Sequence, residues 1–122
     1  MRLLIHNMLT SVVKGVKKGY PLIIKATKVE TKDVAFNGEF IARMIPRMEW
    51  SVVKKAAESV GISDLPDEIV PDYESNEVFL KIAHHALLEV EVIEGSLQCP
   101  ESGREYPINN GIPNMLLNED EV

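Results

Sequence analysis

The stretch at residues 97–108, with the sequence LQCPESGREYPI, constrains the fold more than any other part of this chain. It has the pattern of two short strands joined by a tight turn, because proline and glycine bracket a polar centre. Cys99 occupies the first position of a Cys-x-x-Cys turn, but Ser102 occupies the second. The stretch therefore predicts the shape of a zinc-binding knuckle without its full set of ligands.

Composition limits the chain to one compact unit with a possible inserted subdomain. It has 122 residues, of which 45% are hydrophobic and 26% charged, as expected for a folded domain. The net charge of -6 disfavours direct, tight binding to nucleic acid. Cys99 is the only cysteine, so an intramolecular disulfide is excluded. The apolar run at the N-terminus is short, and we expect neither a signal sequence nor a membrane partner, but a cytoplasmic or nuclear protein.

Strand patterns lie at both ends of the sequence, with helical patterns between them. Residues 22–33 are rich in β-branched side chains and predict a long strand. Apolar and acidic residues alternate from residue 89, and residues 104–108 are expected to pair back across the knuckle turn. The first nine residues are interpreted as a further strand piece. One antiparallel sheet built from both termini follows from this order.

The middle of the chain predicts three helices. Asn37 is a good N-cap for a helix over residues 39–45, and a second helix continues over 48–60. Ser75 is expected to cap the third. The side chains expected in the core are Phe36, Phe40, Trp50, Val53, Ala57, Val60, Val78, Phe79, Ile82, Ala83, Ala86 and Leu87.

The predicted fold class is therefore α+β. Residues 1–35 and 89–122 are assigned to a zinc-ribbon-like domain with a small antiparallel sheet, and residues 36–88 to an inserted helical domain. The acidic side chains of the second strand, Glu89, Glu91 and Glu94, are expected to point to solvent, and residues 119–121 to form a frayed acidic end.

Few residues suggest catalysis or metal binding. His84 and His85 are adjacent on a helix, about 100° apart around its axis, so they do not share a face as metal-binding pairs do. No Gly-x-Ser-x-Gly elbow or phosphate-binding glycine loop is present. Cys99 is interpreted as a packed thiol, and a small enzyme that uses Cys99 as its nucleophile stays an open alternative.

Three segments carry a resemblance to a known family: residues 1–9, residues 40–46 (FIARMIP) and residues 110–117 (NGIPNMLL). With these, the chain resembles the eukaryotic multifunctional methyltransferase-activator subunits over essentially its full length. The resemblance implies a non-catalytic subunit that activates and stabilises S-adenosylmethionine-dependent methyltransferases. Their substrates in this family are tRNA, 18S rRNA and the glutamine of a translation release factor. It further implies heterodimers in which the catalytic partner binds the S-adenosylmethionine and makes most of the RNA contacts.

The resemblance also assigns the metal-ligand positions of the family. They correspond here to Ser11 and Val16 in the first knuckle and to Cys99 and Ser102 in the second. Three of the four ligands are therefore replaced, and we expect a fold without zinc.

An apolar segment after the last predicted strand is the candidate partner-binding surface. Too little sequence follows it for another layer to cover it. The candidate residues are Ile112, Pro113, Asn114, Met115 and Leu116, with Leu9 and Ile108 as neighbours. Two alternatives stay open: the segment completes the chain's own core, or the protein is a stand-alone zinc-ribbon-like module that binds RNA or protein.

Overall fold

Four antiparallel strands form one sheet in the computed structural model, which describes residues 1–11, 13 and 15–116. The strand order is β1-β2-β3-β4, so strands that follow one another in the chain also pair in the sheet. The strands are β1 (Ile23–Thr31), β2 (Val90–Gln98), β3 (Glu105–Asn109) and β4 (Ile112–Pro113). Leu97 pairs with Ile24 on one side and with Tyr106 on the other. The predicted strands at 22–33 and 104–108 are confirmed, each within a few residues.

The helices lie between β1 and β2 in the chain, apart from one at the N-terminus. They are α1 (Leu3–Met8), α2 (Gly38–Met44), α3 (Trp50–Ser59) and α4 (Glu77–His84), with 3-10 turns at Ile45–Arg47 and Tyr73–Ser75 and a π-helical turn at His85–Glu89. Asn37 caps α2 as predicted, since its side chain accepts the Phe40 N–H at 3.1 Å. The cap of α4 is Asn76 and not Ser75, because Asn76 accepts the Phe79 N–H at 3.0 Å.

The first residues form a helix, and their prediction as a strand piece was wrong. The buried face of α1 comprises Leu3, His6 and Asn7 at helical spacing. His6 Nε2 lies 2.7 Å from the Leu22 carbonyl oxygen, and Asn7 donates to the Glu49 carbonyl oxygen at 3.1 Å. These hydrogen bonds satisfy polar groups that are costly to bury alone. The N-terminal segment still reaches the sheet, since the Val92 N–H donates to the Met1 carbonyl oxygen at 2.8 Å.

The core lies between the helices and one face of the sheet. Trp50, Val53 and Ala57 are buried in it as predicted, with Phe79, Ala83, Ala86 and Leu87 from α4 and the π-helical turn that follows it. Two expected core residues are exposed: Val78 leaves 70% of its surface open, and Phe36 contacts the ring of His84 edge-on near the surface. Within the described residues no helix is long and apolar enough to cross a bilayer.

The acidic side chains of Glu89, which precedes β2, and of Glu91 and Glu94 on β2 are not simply solvated, which corrects the prediction for them. Glu89 and Glu91 are half-buried, and Glu91 lies 3.3 Å from the Lys32 ammonium group. Glu94 accepts the N–H of Asn110 at 3.3 Å. These carboxylates therefore hold neighbouring segments of the sheet together. The predicted acidic end at residues 119–121 lies outside the described residues.

Candidate docking surface and degenerate metal site

The two knuckle turns meet around the thiol of Cys99. This side chain is 1% exposed, and its Sγ accepts the Ser102 N–H at 3.3 Å. The hydroxyls of Ser11 and Tyr106 lie 3.1 Å apart, which ties the first turn to β3. Val16 is half-buried and packs against the core. Three of the four predicted ligand positions, Ser11, Cys99 and Ser102, are thus brought together as a hydrogen-bonded group.

The hydrogen bonds of this group change the acidity of the thiol. Burial raises the pKa of Cys99, but hydrogen bonds from Ser102 and Ser11 outweigh this effect and lower the pKa from 9.0 to about 7. A hydrogen-bond donor favours the thiolate because it stabilises the negative charge on sulfur. The thiolate is therefore substantially populated at neutral pH, inside a packed turn.

The residues at these positions do not fit a zinc ion. A structural zinc site needs four thiolate or imidazole ligands in a tetrahedron. The four positions here offer the thiol of Cys99, the hydroxyls of Ser11 and Ser102, and the apolar side chain of Val16. Among the described residues no group of three or more His, Cys, Asp or Glu side chains has a metal-binding arrangement. The donor set is that of a hydrogen-bonded turn and not of a metal centre.

A carboxylate joins the two turns. Glu101, in the second turn, accepts the backbone N–H groups of Lys17 and Lys18 at 3.1 and 3.3 Å. The first turn is closed by the Ser11 N–H, which donates to the Gly19 carbonyl oxygen at 2.9 Å. A Cβ on Gly19 would lie 2.6 Å from the Cβ of Ser11, so only glycine allows this approach. Glu101 therefore provides the cross-link between the turns.

The apolar segment after β3 is largely open. Ile112 is 70% exposed and Leu116 is 79% exposed, at either end of the segment. Asn114 fixes the path of the chain, because its N–H donates to the Pro107 carbonyl oxygen at 2.9 Å and its side-chain oxygen accepts the Leu116 N–H at 3.0 Å. A depression of about 570 Å³ is lined by Asn109, Ile112, Pro113, Asn114, Met115 and Leu116. We call these six residues the C-terminal patch.

The structure divides the predicted partner-binding residues into exposed and buried ones. Ile108 is 1% exposed and belongs to the core, so its prediction as a surface residue was wrong. Leu9 and Met115 are half-buried and pack against the core. Among the predicted residues, Ile112 and Leu116 are therefore the large apolar side chains that remain exposed to a partner.

Sequence patterns did not reveal two further exposed apolar side chains, Ile5 and Met8 on α1. They are three residues apart, so they lie on one helical face. The signal was available in this spacing, but the interpretation of the segment as a strand separated the two residues onto opposite faces. They add apolar surface on the helix that precedes the first knuckle.

Comparison with known proteins finds relatives along the whole chain. Residues 2–111 match the Trm112p-like protein family. The chain is 53% identical to the multifunctional methyltransferase subunit TRM112-like protein of Mus musculus, over 100% of this chain and 98% of that relative. It is 52% identical to the TRM112 homolog A of Arabidopsis thaliana, over 100% of both chains.

One solved structure supports the fold. It is the E. cuniculi Mtq2-Trm112 complex, described as responsible for the methylation of the eRF1 translation termination factor. The match covers 95% of this chain and 95% of that chain, with a TM-score of 0.56 and 22% sequence identity. The structural likeness concerns the fold, whereas the family match and the full-length relatives establish that the chain belongs to the Trm112p-like protein family.

Proposed function

We propose that this chain is a non-catalytic subunit that activates and stabilises several S-adenosylmethionine-dependent methyltransferases. Its relatives are named as multifunctional methyltransferase subunits, and the matched structure is a complex of two proteins. The observation that carries the proposal is the exposure of Ile112 and Leu116 at one edge of the sheet. Apolar surface at a strand edge is a common site for protein partners.

The two edges of the sheet differ in how well they accept another strand. The edge strand β1 carries Lys25 and Lys28 and has register shifts on both sides of Lys28. Lysines and bulges on an edge strand discourage pairing with a further chain. At the opposite edge, β4 has two residues and is followed by the C-terminal patch. This asymmetry supports docking of the partner at the β4 edge.

The chemistry of the chain supports a subunit without catalytic groups of its own. Cys99 is its only thiol, and it is buried and hydrogen-bonded to serine and backbone groups. A catalytic nucleophile needs access to its substrate and a base beside it. In this proposal the catalytic partner binds S-adenosylmethionine and contacts the tRNA, the 18S rRNA or the release factor, in the cytoplasm and the nucleus.

Docking explains activation through mass action. A partner that binds only the folded enzyme stabilises it by about 2.7 kcal/mol at a hundredfold its dissociation constant. Proteins are stable by only about 5–15 kcal/mol, so this amount decides whether a marginal catalytic domain stays folded. Covering an exposed apolar patch on that domain would also keep it from aggregating.

Single charges in the C-terminal patch test the proposal. Leu116→Asp and Ile112→Asp should leave the free chain folded, because both side chains are exposed, and should abolish co-purification of methyltransferases. Val78→Asp is the matched control, since Val78 is equally exposed at 70% but lies on α4. Circular dichroism establishes the fold of each variant. Full methyltransferase recovery with both patch variants would refute docking at this patch.

A further inference from the structure

Two arginines on the segment that begins in α2 have no acidic partner in the part of the chain that the structure describes. Arg43 on α2 and Arg47 in the 3-10 turn that continues it are both exposed, and they line one depression. No described carboxylate lies within 4.0 Å of either guanidinium group. Among the described lysines, those that pair with side-chain carboxylates are Lys25, Lys28, Lys32, Lys54 and Lys81.

Phe40 and Met44 lie with these arginines in one depression. The four side chains line a cavity of about 220 Å³ on the surface of the helical part. Phe40 and Met44 are half-buried, and Phe40 packs against the core. The nearest acidic side chain along α2, Glu39, lines a separate cavity on the other side of Arg43 together with Glu74. We call Phe40, Arg43, Met44 and Arg47 the basic face.

The basic face stands out in a chain of net charge -6. Carboxylates exceed basic groups by six, yet none of those described lies within 4.0 Å of either guanidinium group, so both arginines can still pair with an external anion. Arginine presents a planar fork of donors that matches phosphate oxygens. An aromatic side chain next to guanidinium groups offers a surface for an unstacked base.

We infer that the basic face binds the phosphate backbone of the RNA that a partner methyltransferase modifies. This inference rests on the proposed function, because the RNA is brought to the complex as its substrate. An acidic protein segment would satisfy the arginines equally, but it would leave the aromatic and thioether side chains that line the same cavity without a matching group. The combination of phosphate-binding and base-stacking side chains favours RNA over such a segment.

The location of the face fits this role. α2 packs against α4 and against the neighbouring 3-10 turns in the helical part of the chain. The C-terminal patch is at the β4 edge of the sheet. A partner docked at that edge would leave the basic face free for a substrate that extends beyond the catalytic site. Three of the four residues of the basic face, all but Arg47, lie in the segment 40–46 that carries part of the family resemblance.

The test uses the heterodimer of this chain with a tRNA-modifying catalytic partner. Arg43→Gln/Arg47→Gln should raise the KM for a tRNA transcript on the order of tenfold. It should also lower the salt-dependence slope of RNA binding by about 2, because each arginine neutralises one phosphate. Lys55→Gln is the control, because Lys55 is exposed on α3 and has no carboxylate partner among the described residues. The control should change neither quantity.

Release-factor methylation separates RNA binding from other roles. The heterodimer with a release-factor methyltransferase acts on a protein, so its KM should not change in the double variant. An equal loss for both substrates, or loss of co-purification with either catalytic partner, would assign the face to protein binding and overturn the inference. An unchanged KM and salt slope for tRNA would overturn it as well. Failure of the wild-type chain to co-purify any methyltransferase would instead refute the proposed function.

Discussion

The carboxylate of Glu89 accepts the backbone N–H of Val34 at 3.0 Å, and this contact joins the two segments that link the sheet to the helices. Glu89 ends the π-helical turn before β2, and Val34 follows β1. His84 strengthens the junction, since its Nε2 lies 2.9 Å from the Val34 carbonyl oxygen. His85 Nδ1 lies 3.0 Å from the other Glu89 oxygen. The Glu89 side chain thus holds together the two points at which the chain passes from the sheet to the helices and back.

Glu89→Gln should lower the free energy of unfolding by about 1–2 kcal/mol at pH 7, because a hydrogen bond to a charged group contributes more than one to a neutral amide. The hydrogen bond from Val34, and then that from His85, hold the pKa of Glu89 below its ordinary value of 4.5. Its stabilising effect is present above that value and is lost as the pH falls through the lowered pKa of the folded state. Urea unfolding at pH 7 and in acid measures both effects.

Glu30→Gln is the control for this prediction. Glu30 is exposed on β1, and its nearest ionic contact is the Lys28 ammonium group at 3.6 Å. Exposed ion pairs contribute about 0–1 kcal/mol, so this variant should remain close to the wild type. An equal loss of unfolding free energy in the two variants would show that the contacts of Glu89 stabilise the fold no more than an exposed ion pair does.

Because the pKa of the Cys99 thiol is lowered in the folded state, we expect the protein to become more stable between pH 7 and pH 9. The folded-state pKa of about 7 is lower than the ordinary value of 9.0, so in this range the unfolded chain holds a proton that the folded chain has released. The free energy of unfolding should rise by about 2 kcal/mol across the range, since one pKa unit corresponds to 1.36 kcal/mol. Denaturant unfolding at several pH values measures the rise.

Cys99→Ala removes the ionisable group, and the rise between pH 7 and pH 9 should shrink accordingly. The variant is also expected to be less stable at every pH, because Ser102 loses its hydrogen-bond acceptor. The difference between the two pH profiles, not the absolute stability, isolates the thiol. Parallel profiles for the wild type and the variant would show that the thiol does not titrate in this range.

The strands and most helices could be predicted because their side chains follow simple periods. The sequence also indicated the C-terminal patch, and the structure leaves Ile112 and Leu116 exposed there. The same reasoning failed for Ile108, although Tyr106 and Ile108 alternate onto the buried face of β3. The position of Ile108 near the end of the chain was given more weight than the two-residue period.

The helix α1 was missed because two of the three residues on its buried face are polar. Its buried face includes His6 and Asn7, whose Nε2 and Nδ2 atoms hydrogen-bond to the carbonyl oxygens of Leu22 and Glu49, far away in the sequence. Only tertiary contacts make burial of such residues favourable. The role of Glu101 was missed for a similar reason, because its partners Lys17 and Lys18 lie in the other turn and bind through their backbone.

Glu101→Gln should loosen the first knuckle turn while leaving the core intact. An exposed carboxylate that accepts two backbone N–H groups protects those amides from exchange with solvent. Hydrogen exchange at Lys17 and Lys18 should therefore accelerate by about tenfold, equivalent to roughly 1.4 kcal/mol of local opening. Amide exchange followed by NMR measures it residue by residue.

Two comparisons make the Glu101 result specific. Glu105→Gln removes an exposed carboxylate that contacts the Lys25 ammonium group at 3.0 Å, and it should not change exchange at Lys17 and Lys18. Addition of EDTA to the wild type should also leave the exchange unchanged, because a carboxylate and not a metal joins the turns. Faster exchange after chelation would contradict the assignment of Glu101 as the cross-link.

Met115→Asp should unfold the chain partially or lower its stability by about 2 kcal/mol, in the range of substitutions that bury an unpaired charge. Met115 is half-buried and packs against the core, whereas its neighbour Leu116 is 79% exposed. Leu116→Asp should thus stay within about 0.5 kcal/mol of the wild type, as is usual for surface changes. Met115→Leu conserves volume and should cost less than about 1.5 kcal/mol. If Met115→Asp is as stable as the wild type in urea, Met115 belongs to the docking surface and not to the core.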